Sequence, residues 1–441
     1  MTLAFSQMVT KLRESAFLKN ILVVMAGTGM AQVLGVLLSP VISRLFSPSD
    51  FGISGSFGAI AGIIAAGATL DYSQAIMLPK EKAQAINLLA LSFFSTGVIS
   101  VLCLLFCLVA PATASGLMKT NGVWALALLV LATVVSGVNQ SCQAWAIRVK
   151  AFKRTSASQV IRSAATNGSR LGFGFLKMGA PGLIVSGILG NFFASINLVR
   201  VTLPDLKALR EQIRWDRMKR LAKEFHDFPL YSASQNVINA LSSGLPVLLL
   251  TRYFGIATAG AYAFGMTVME TPIGLVLSAL RQVLFQKASE THHLGRNLAA
   301  LFVRTTAVLF AMALVPMVVL IIWAPPIFAW LFGPQWHMAG TFAQSLVIWL
   351  AVVFCNLPAV LFARIIRMQR FVFFYDLVLL AARSSALVLG GLYLTVGQTV
   401  MLFALVGAVM NAVLIARVGY AVMKKEGAVT MDNLRDLLMK E

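Results

Sequence analysis

Charge is scarce in this chain, and acid is scarcer still. Only 12% of the 441 residues are charged, 16 Asp and Glu stand against 36 Lys and Arg, and 59% are hydrophobic. With a mean hydropathy of +0.83, no arrangement of such a composition could cover a water-facing surface, so a soluble domain is excluded and lipid is the expected solvent. Histidine and cysteine number four each. Cys103, Cys107, Cys142 and Cys355 all fall in apolar stretches without metal-ligand neighbours, which points to packing and leaves the redox compartment open. There is no Gly-rich phosphate loop and no His/Cys metal spacing, so no cofactor or metal is expected. An ATP-driven cycle has no residues to run on.

Long apolar runs are what the chain has in abundance. A helix needs about 20 residues to cross ~30 Å of hydrocarbon, and twelve stretches qualify, at roughly 20-43, 51-73, 85-110, 122-146, 157-177, 181-203, 229-252, 257-285, 299-323, 338-363, 371-394 and 398-422. Their length suits helices and not transmembrane strands, so the expected class is all-α and polytopic. Lys and Arg fill every second gap, numbering 3, 2, 4, 8, 4, 3 and 5 from the N-terminus to the C-terminus when Arg200, Arg281, Arg304 and Arg417, in the adjoining ends of the spans, are counted with them. The opposite gaps hold only Arg44, Lys119, Lys177 and Arg252. The positive-inside rule then places both termini in the cytoplasm.

The net charge of +20 would suggest nucleic acid in a soluble protein. Spread over membrane-adjacent loops it instead fits anionic lipid, and no nucleic-acid partner is expected. Residues 1-19 put Leu3, Met8, Leu12 and Ala16 near one helical face without a cleavage pattern, the signature of a retained interfacial helix. The longest loop, 204-228, carries Lys207, Arg210, Arg214, Arg217, Lys219, Arg220 and Lys223 and reads as a surface helix joining two lobes, 20-203 and 229-422, with 423-441 as a cytoplasmic tail.

Two internal matches support those lobes. Arg44-Leu45-Phe46, five residues, Gly52 recurs as Arg252-Tyr253-Phe254, five residues, Gly260; the basic turn from Arg148 to Arg154 recurs from Arg364 to Arg370. Similar offsets at equivalent points of the topology suggest two six-helix halves in one orientation, a parallel repeat of the kind found in secondary transporters. Loops that are basic merely because of the positive-inside rule would give a weaker version of the same pattern.

Inside the spans the polar residues form stripes. The fifth carries Gln159, Arg162, Ser163, Thr166, Ser169 and Arg170 on one face, the seventh Ser232, Gln235, Asn236, Asn239, Ser242 and Ser243, the fourth Ser136, Asn139, Gln140 and Gln143, and the first Thr28, Gln32, Ser39 and Ser43. Such spacing traces a single helical side and points to a wet cavity, although any one hydroxyl could serve as interhelical glue. An Arg in mid-membrane costs about 3 kcal/mol or more unless it meets water or a counter-charge, so Arg162, Arg170 and Arg383 are candidate ligands for an anionic substrate. The alternative is structural pairing with Asp376 or Glu270. Glu270 precedes Thr271-Pro272 in mid-span, where Pro272 frees a carbonyl, and with Asp376 and Asp71 it is a candidate for coupling to a proton or sodium ion. Asp71, at the basic end of the second span, is expected to meet Lys80 and Lys82. Pro40 and Pro246 sit at similar depths in spans one and seven as hinges or static kinks.

Arg44-Leu45-Phe46-Ser47-Pro48 through Phe51-Gly52, the stretch from Tyr72 to Lys80, Phe228-Pro229-Leu230-Tyr231, Leu245 to Leu250, and Phe332-Gly333-Pro334-Gln335-Trp336 with Ala339-Gly340 resemble, in order and over nearly the full length, the Wzx-type polysaccharide flippases. These belong to the multidrug, oligosaccharidyl-lipid and polysaccharide exporter superfamily. The resemblance implies two six-helix lobes in a V, alternating access, and carriage of a polyprenyl-pyrophosphate-linked oligosaccharide to the periplasmic leaflet of the bacterial inner membrane for O-antigen, capsule or exopolysaccharide assembly. It implies a carrier, not an enzyme, with glycan polymerase and chain-length proteins as partners and a cationic cavity to which Arg162, Arg170 and Arg383 would contribute. Glu270 matches no family motif. Three alternatives stay open: a multidrug or cation antiporter, which should prefer acidic cavity residues; a peptidoglycan-precursor flippase, which usually has further spans; and a membrane glycan polymerase or ligase, which should have a large outside loop.

The topology makes a direct prediction. Lys150→Cys should react with a membrane-impermeant maleimide only in inside-out vesicles, and Lys119→Cys only in right-side-out ones; the reverse pattern would invert the orientation.

Overall fold

The computed structural model describes residues 16-120, 123-293, 297-366 and 368-438. The expected interfacial helix at 1-19 lies mostly outside them. Every described element is helical: α1 (Ala16–Leu45), α2 (Pro48–Gly67), α3 (Tyr72–Ala75), α4 (Lys82–Val109), α5 (Pro111–Met118), α6 (Val123–Arg148), α7 (Phe152–Phe175), α8 (Gly179–Ala208), α9 (Trp215–Glu224), α10 (Ser234–Phe254), α11 (Ile256–His293), α12 (Leu298–Phe332), α13 (His337–Cys355), α14 (Leu357–Ile365), α15 (Gln369–Tyr393) and α16 (Val396–Leu438). Two compact units divide the chain, Met1–Thr251 and Arg252–Glu441.

Eleven segments are long and apolar enough to span a bilayer among the described residues. The one expected span not among them is the fifth, α7, too polar to qualify by hydropathy. Its packing shows what it is. Down its length α7 lies against α1 and α8: Ser156 meets Gly27, Ser163 donates to the Ala31 carbonyl at 2.6 Å, and Gly174 meets Leu45, so α7 runs parallel to α1. Against α8 the pairing runs the other way, with Asn197 Nδ2 donating to Ser158 Oγ at 2.7 Å and Gly190 seated against Thr166. A helix of 24 residues reaches about 36 Å at 1.5 Å per residue. Sandwiched between two spans and aligned with both, α7 crosses the membrane with them.

Several residues of the family-like segments turn out to be corner posts. Ser47 caps α2 in a reciprocal capping box with Asp50, which satisfies two otherwise orphaned amides. The other Asp50 oxygen accepts from the Ala180 amide at 2.9 Å, beside Gly179 at φ +57°, and so ties the start of α2 to the start of α8. The seventh span belongs to the first unit because Thr251 and Ser56 share a hydrogen bond at 3.1 Å and Gly244 approaches Ala59 closely. In the second unit, Gly333 at φ +114° ends α12, and fully buried Trp336 then stacks on Phe264 with centroids 4.0 Å apart. Sequence places the end of this span at 323, ahead of Pro325 and Pro326. The helix instead continues to Phe332 with both prolines inside it, packed on Gly340, where any side chain would strike the Pro325 backbone.

The 204-228 segment contains α8 running on to Ala208 and the amphipathic α9, which buries Met218 and Leu221 and leaves Asp216, Lys219, Arg220, Lys223 and Glu224 exposed. Trp215 meets Phe94 edge-on at 5.2 Å, and Asn87 bonds both the Gln212 carbonyl and the Arg214 amide. This helix is therefore fixed to α4. Nearby, Arg148 donates to the Ile76 and Pro79 carbonyls at 2.6 and 2.7 Å, holding the turn after α3.

Asp71 does not meet the basic gap as expected. Span two ends at Gly67, Asp71 follows in a left-handed turn at φ +57°, and Lys82 pairs with Asp205 at 2.6 Å instead. Asp71 is buried with no described ion-pair partner, and burial raises its carboxyl pKa above the usual carboxylate value. The folded state thus favours the protonated form, and ionisation at neutral pH works against folding. Asp71→Asn, which keeps tolerance for positive φ, should stabilise the protein in detergent by on the order of 1 kcal/mol, the scale for one buried polar group. The gain should be full above the raised folded-state pKa and vanish below pH ~4, where both states bind the proton. A thermal-unfolding pH series that shows no such convergence removes this account.

Candidate functional site

The centre of the second unit is organised around one cation. Arg383, in the middle of α15, is only 8% exposed, and its guanidinium carbon lies 3.9 Å from the ring centroids of both Trp349 on α13 and Phe403 on α16. Gly407, one turn beyond Phe403, makes room for this stack: a Cβ there would come within 2.8 Å of the Trp349 ring. A further turn on, Asn411 accepts from Asn356 Nδ2 at 2.8 Å and donates to the Gly407 carbonyl at 2.7 Å. One face of α16 thereby positions the indole that covers the guanidinium.

Around this stack, Tyr262, Glu270 and Tyr375 lie within electrostatic reach of Arg383. Among the described residues Arg383, Arg162 and Arg170 form no ion pair within 4.0 Å. Arg383 Nε, Trp349 Nε1 and Tyr375 Oη are all buried without a hydrogen-bond partner among the described residues. The ring stack is worth up to about 2 kcal/mol when desolvated, comparable to the ~3 kcal/mol penalty for mid-membrane Arg. It supplies charge stabilisation but no acceptors, and a guanidinium carries five N–H donors. What remains is a group held flat, with donors in need of an oxygen.

In the first unit, α7 presents the other two arginines. Arg162 is exposed, while Arg170, eight residues and about 12 Å further along, is half-buried with Nε lacking a partner. Gln159 is half-buried on the same stripe. Gln32 on α1 is half-buried with Oε1 unpartnered. Two of the amides read as cavity candidates are engaged between helices: Asn139 donates to Ser195 Oγ at 3.1 Å, and Gln140 to the Ala65 carbonyl at 3.0 Å. On α10, Gln235 is half-buried and Asn236, Asn239 and Ser243 are exposed. Hydrocarbon cannot solvate a row of amides, so this face of α10 calls for water or other polar groups.

Glu270 is open at the surface of its unit, and Asp376 is half-buried beside Tyr375, with which it interacts electrostatically. Sequence reasoning missed Trp349, Phe403, Tyr262 and Tyr375. A lone mid-span cation signals that aromatic faces should be near, but with 29 Phe, 7 Trp and 7 Tyr to choose from only the fold selects them.

The fold has known counterparts. A multidrug-resistance MATE transporter of the MOP superfamily in its inward-facing conformation matches with TM-score 0.67 and 15% identity, covering 92% of this chain and 96% of the other. The lipid II flippase MurJ in an inward closed conformation matches with TM-score 0.71 and 10% identity over 92% of each chain. An outward-facing MATE transporter of the same superfamily matches with TM-score 0.59 and 12% identity, over 93% and 96%. At these identities the likeness is one of fold. No curated protein matches the sequence. The profile of a family described as polysaccharide biosynthesis protein does match, over residues 41-340, more than half of the chain, and the chain belongs to that family.

Proposed function

We propose that this protein is a flippase that carries a polyprenyl-pyrophosphate-linked oligosaccharide from the cytoplasmic to the periplasmic leaflet of a bacterial inner membrane, for O-antigen, capsule or exopolysaccharide assembly. Both termini lie in the cytoplasm in this reading, and glycan polymerase and chain-length proteins act downstream. The observation that carries the proposal is the Arg383 cluster: a buried guanidinium between two rings, in no ion pair with a carboxylate among the described residues, with unpartnered donors beside it. Such a group suits an oxyanion, and charge-assisted bonds from Arg to phosphate are among the strongest available. A carrier of cationic drugs would need the opposite charge at this point.

Arg162 and Arg170 give the first unit its own contacts for pyrophosphate or acidic sugars. Gln32, with its free carbonyl oxygen, and Gln159, Gln235 and Asn239 offer partners for sugar hydroxyls, while Asn139 and Gln140 set the spacing of the helices that carry them. The polyprenyl chain remains in lipid throughout. Alternating access would be driven by a proton or sodium ion, with Glu270 as the coupling carboxylate because it feels the Arg383 charge. Asp376 and Asp71 are the secondary candidates. No chemical bond changes in this cycle, so no catalytic residue is assigned.

Arg383→Ala should lower surface polysaccharide by roughly 10- to 100-fold, the scale for losing one hydrogen bond to a charged group, with unchanged protein abundance in the membrane. Polyprenyl-linked oligosaccharide should accumulate on the cytoplasmic side. Arg383→Lys, which keeps the charge but loses the planar fork, should recover part of the flux. Normal glycan display by the Ala variant would remove Arg383 from the transport path, and a parallel fall in abundance would assign it to folding.

A further inference from the structure

A cavity of about 590 Å³ opens in the second unit between α11, the first turns of α12 and the start of α14. Its volume is within the ~300–1,000 Å³ range of small-molecule sites. Leu284, Leu309 and Leu357 line it and are themselves core residues, 7%, 2% and 4% exposed, so part of its wall belongs to the core of the unit. Two cations line it, Lys287 on α11 and Arg304 on α12, both exposed. The transport reading uses neither.

Position distinguishes this cavity from an ordinary gap between helices. Lys287 lies six residues before the end of α11 and Arg304 six residues after the start of α12, so both sit about 9 Å from the connecting turn, at one depth and on the side of the basic loops. Leu280 and Leu284 precede Lys287 along α11, and Val308 and Leu309 follow Arg304 along α12. In both helices the apolar lining therefore extends from the cations toward the membrane centre. Two charges at headgroup depth above an apolar slot reproduce the layout of a single lipid, and basic pockets between helices at this face are known to take anionic headgroups.

We infer that this cavity is a binding site for an anionic glycerophospholipid, its phosphate held between Lys287 and Arg304 and an acyl chain laid along Leu280, Leu284 and Val308. The site is independent of the Arg383 cluster and of the identity of the transported glycan. A resident lipid here would fill the cleft between α11 and α12 and brace the two helices, one of which carries Glu270.

The test uses the full chain in nanodiscs of phosphatidylcholine with graded phosphatidylglycerol, and native mass spectrometry of retained lipid after release into mild detergent. Wild type should retain phosphatidylglycerol in preference to phosphatidylcholine. The double variant Lys287→Ala/Arg304→Ala should lose roughly thirtyfold in affinity, at about fivefold per cation, whereas Arg417→Ala/Lys424→Ala, with the same charge change elsewhere, should match wild type. Ala300→Trp, which fills the lining but keeps both cations, should also lose the lipid. Equal retention by wild type and the Lys287/Arg304 variant overturns the site. Retention unaffected by Ala300→Trp would reduce it to surface electrostatics, and displacement by millimolar inorganic phosphate would make it a free-anion site instead.

Discussion

A low-dielectric interior decides most of this structure, because inside hydrocarbon no polar group can fall back on water. Backbone groups answer that constraint by being helical in every described element. Side-chain amides answer it by bridging helices, as Asn139 to Ser195, Asn197 to Ser158 and Asn356 to Asn411. Serines and threonines mostly donate back to a carbonyl three or four residues earlier, as Ser92, Thr133 and Thr202 do. Arg383 is among the described side chains that depart from this pattern. Aromatic rings answer its charge, and its hydrogen-bonding needs remain open.

The same constraint explains why α7 is a membrane helix despite its polarity. A helix with two arginines and a row of hydroxyls cannot face lipid, and it does not need to: α1 and α8 flank it, with the Ala31 and Ala194 carbonyls accepting from Ser163 and Ser158 and Asn197 donating to Ser158. Hydropathy measures partition of an isolated segment, whereas α7 is solvated by its neighbours. Its remaining polar face, with Arg162 exposed, stays available for a hydrated ligand. Structural economy and function thus draw on one feature: the residues that bar α7 from lipid are the ones proposed to meet substrate.

Residues that carry the family resemblance and residues that carry the proposed chemistry are largely different. Ser47 and Asp50 cap and tie helix starts, Trp336 fills a core pocket, and Gly340 lets α12 and α13 touch. In this chain these residues serve the packing of the fold. The arginines lie outside those segments. Family membership therefore constrains architecture and general role, while the ligand has to be argued from charge and geometry.

Sequence alone determined the solvent, the helical class, the basic faces and the positions of the mid-span ions, because each depends on local composition and on a period that a single helix displays. The arginine positions were legible for that reason, since a charge in an apolar run stands out without reference to any partner. Tertiary structure decided what surrounds those charges: that Trp349 and Phe403 sandwich Arg383 with Gly407 leaving room, that Asp71 lies apart from Lys82 while Lys82 takes Asp205, and that α12 runs through Pro325 and Pro326. Each is a contact between segments far apart in the chain. Helical periodicity specifies which face a residue occupies but not which of many equally apolar neighbours that face will meet.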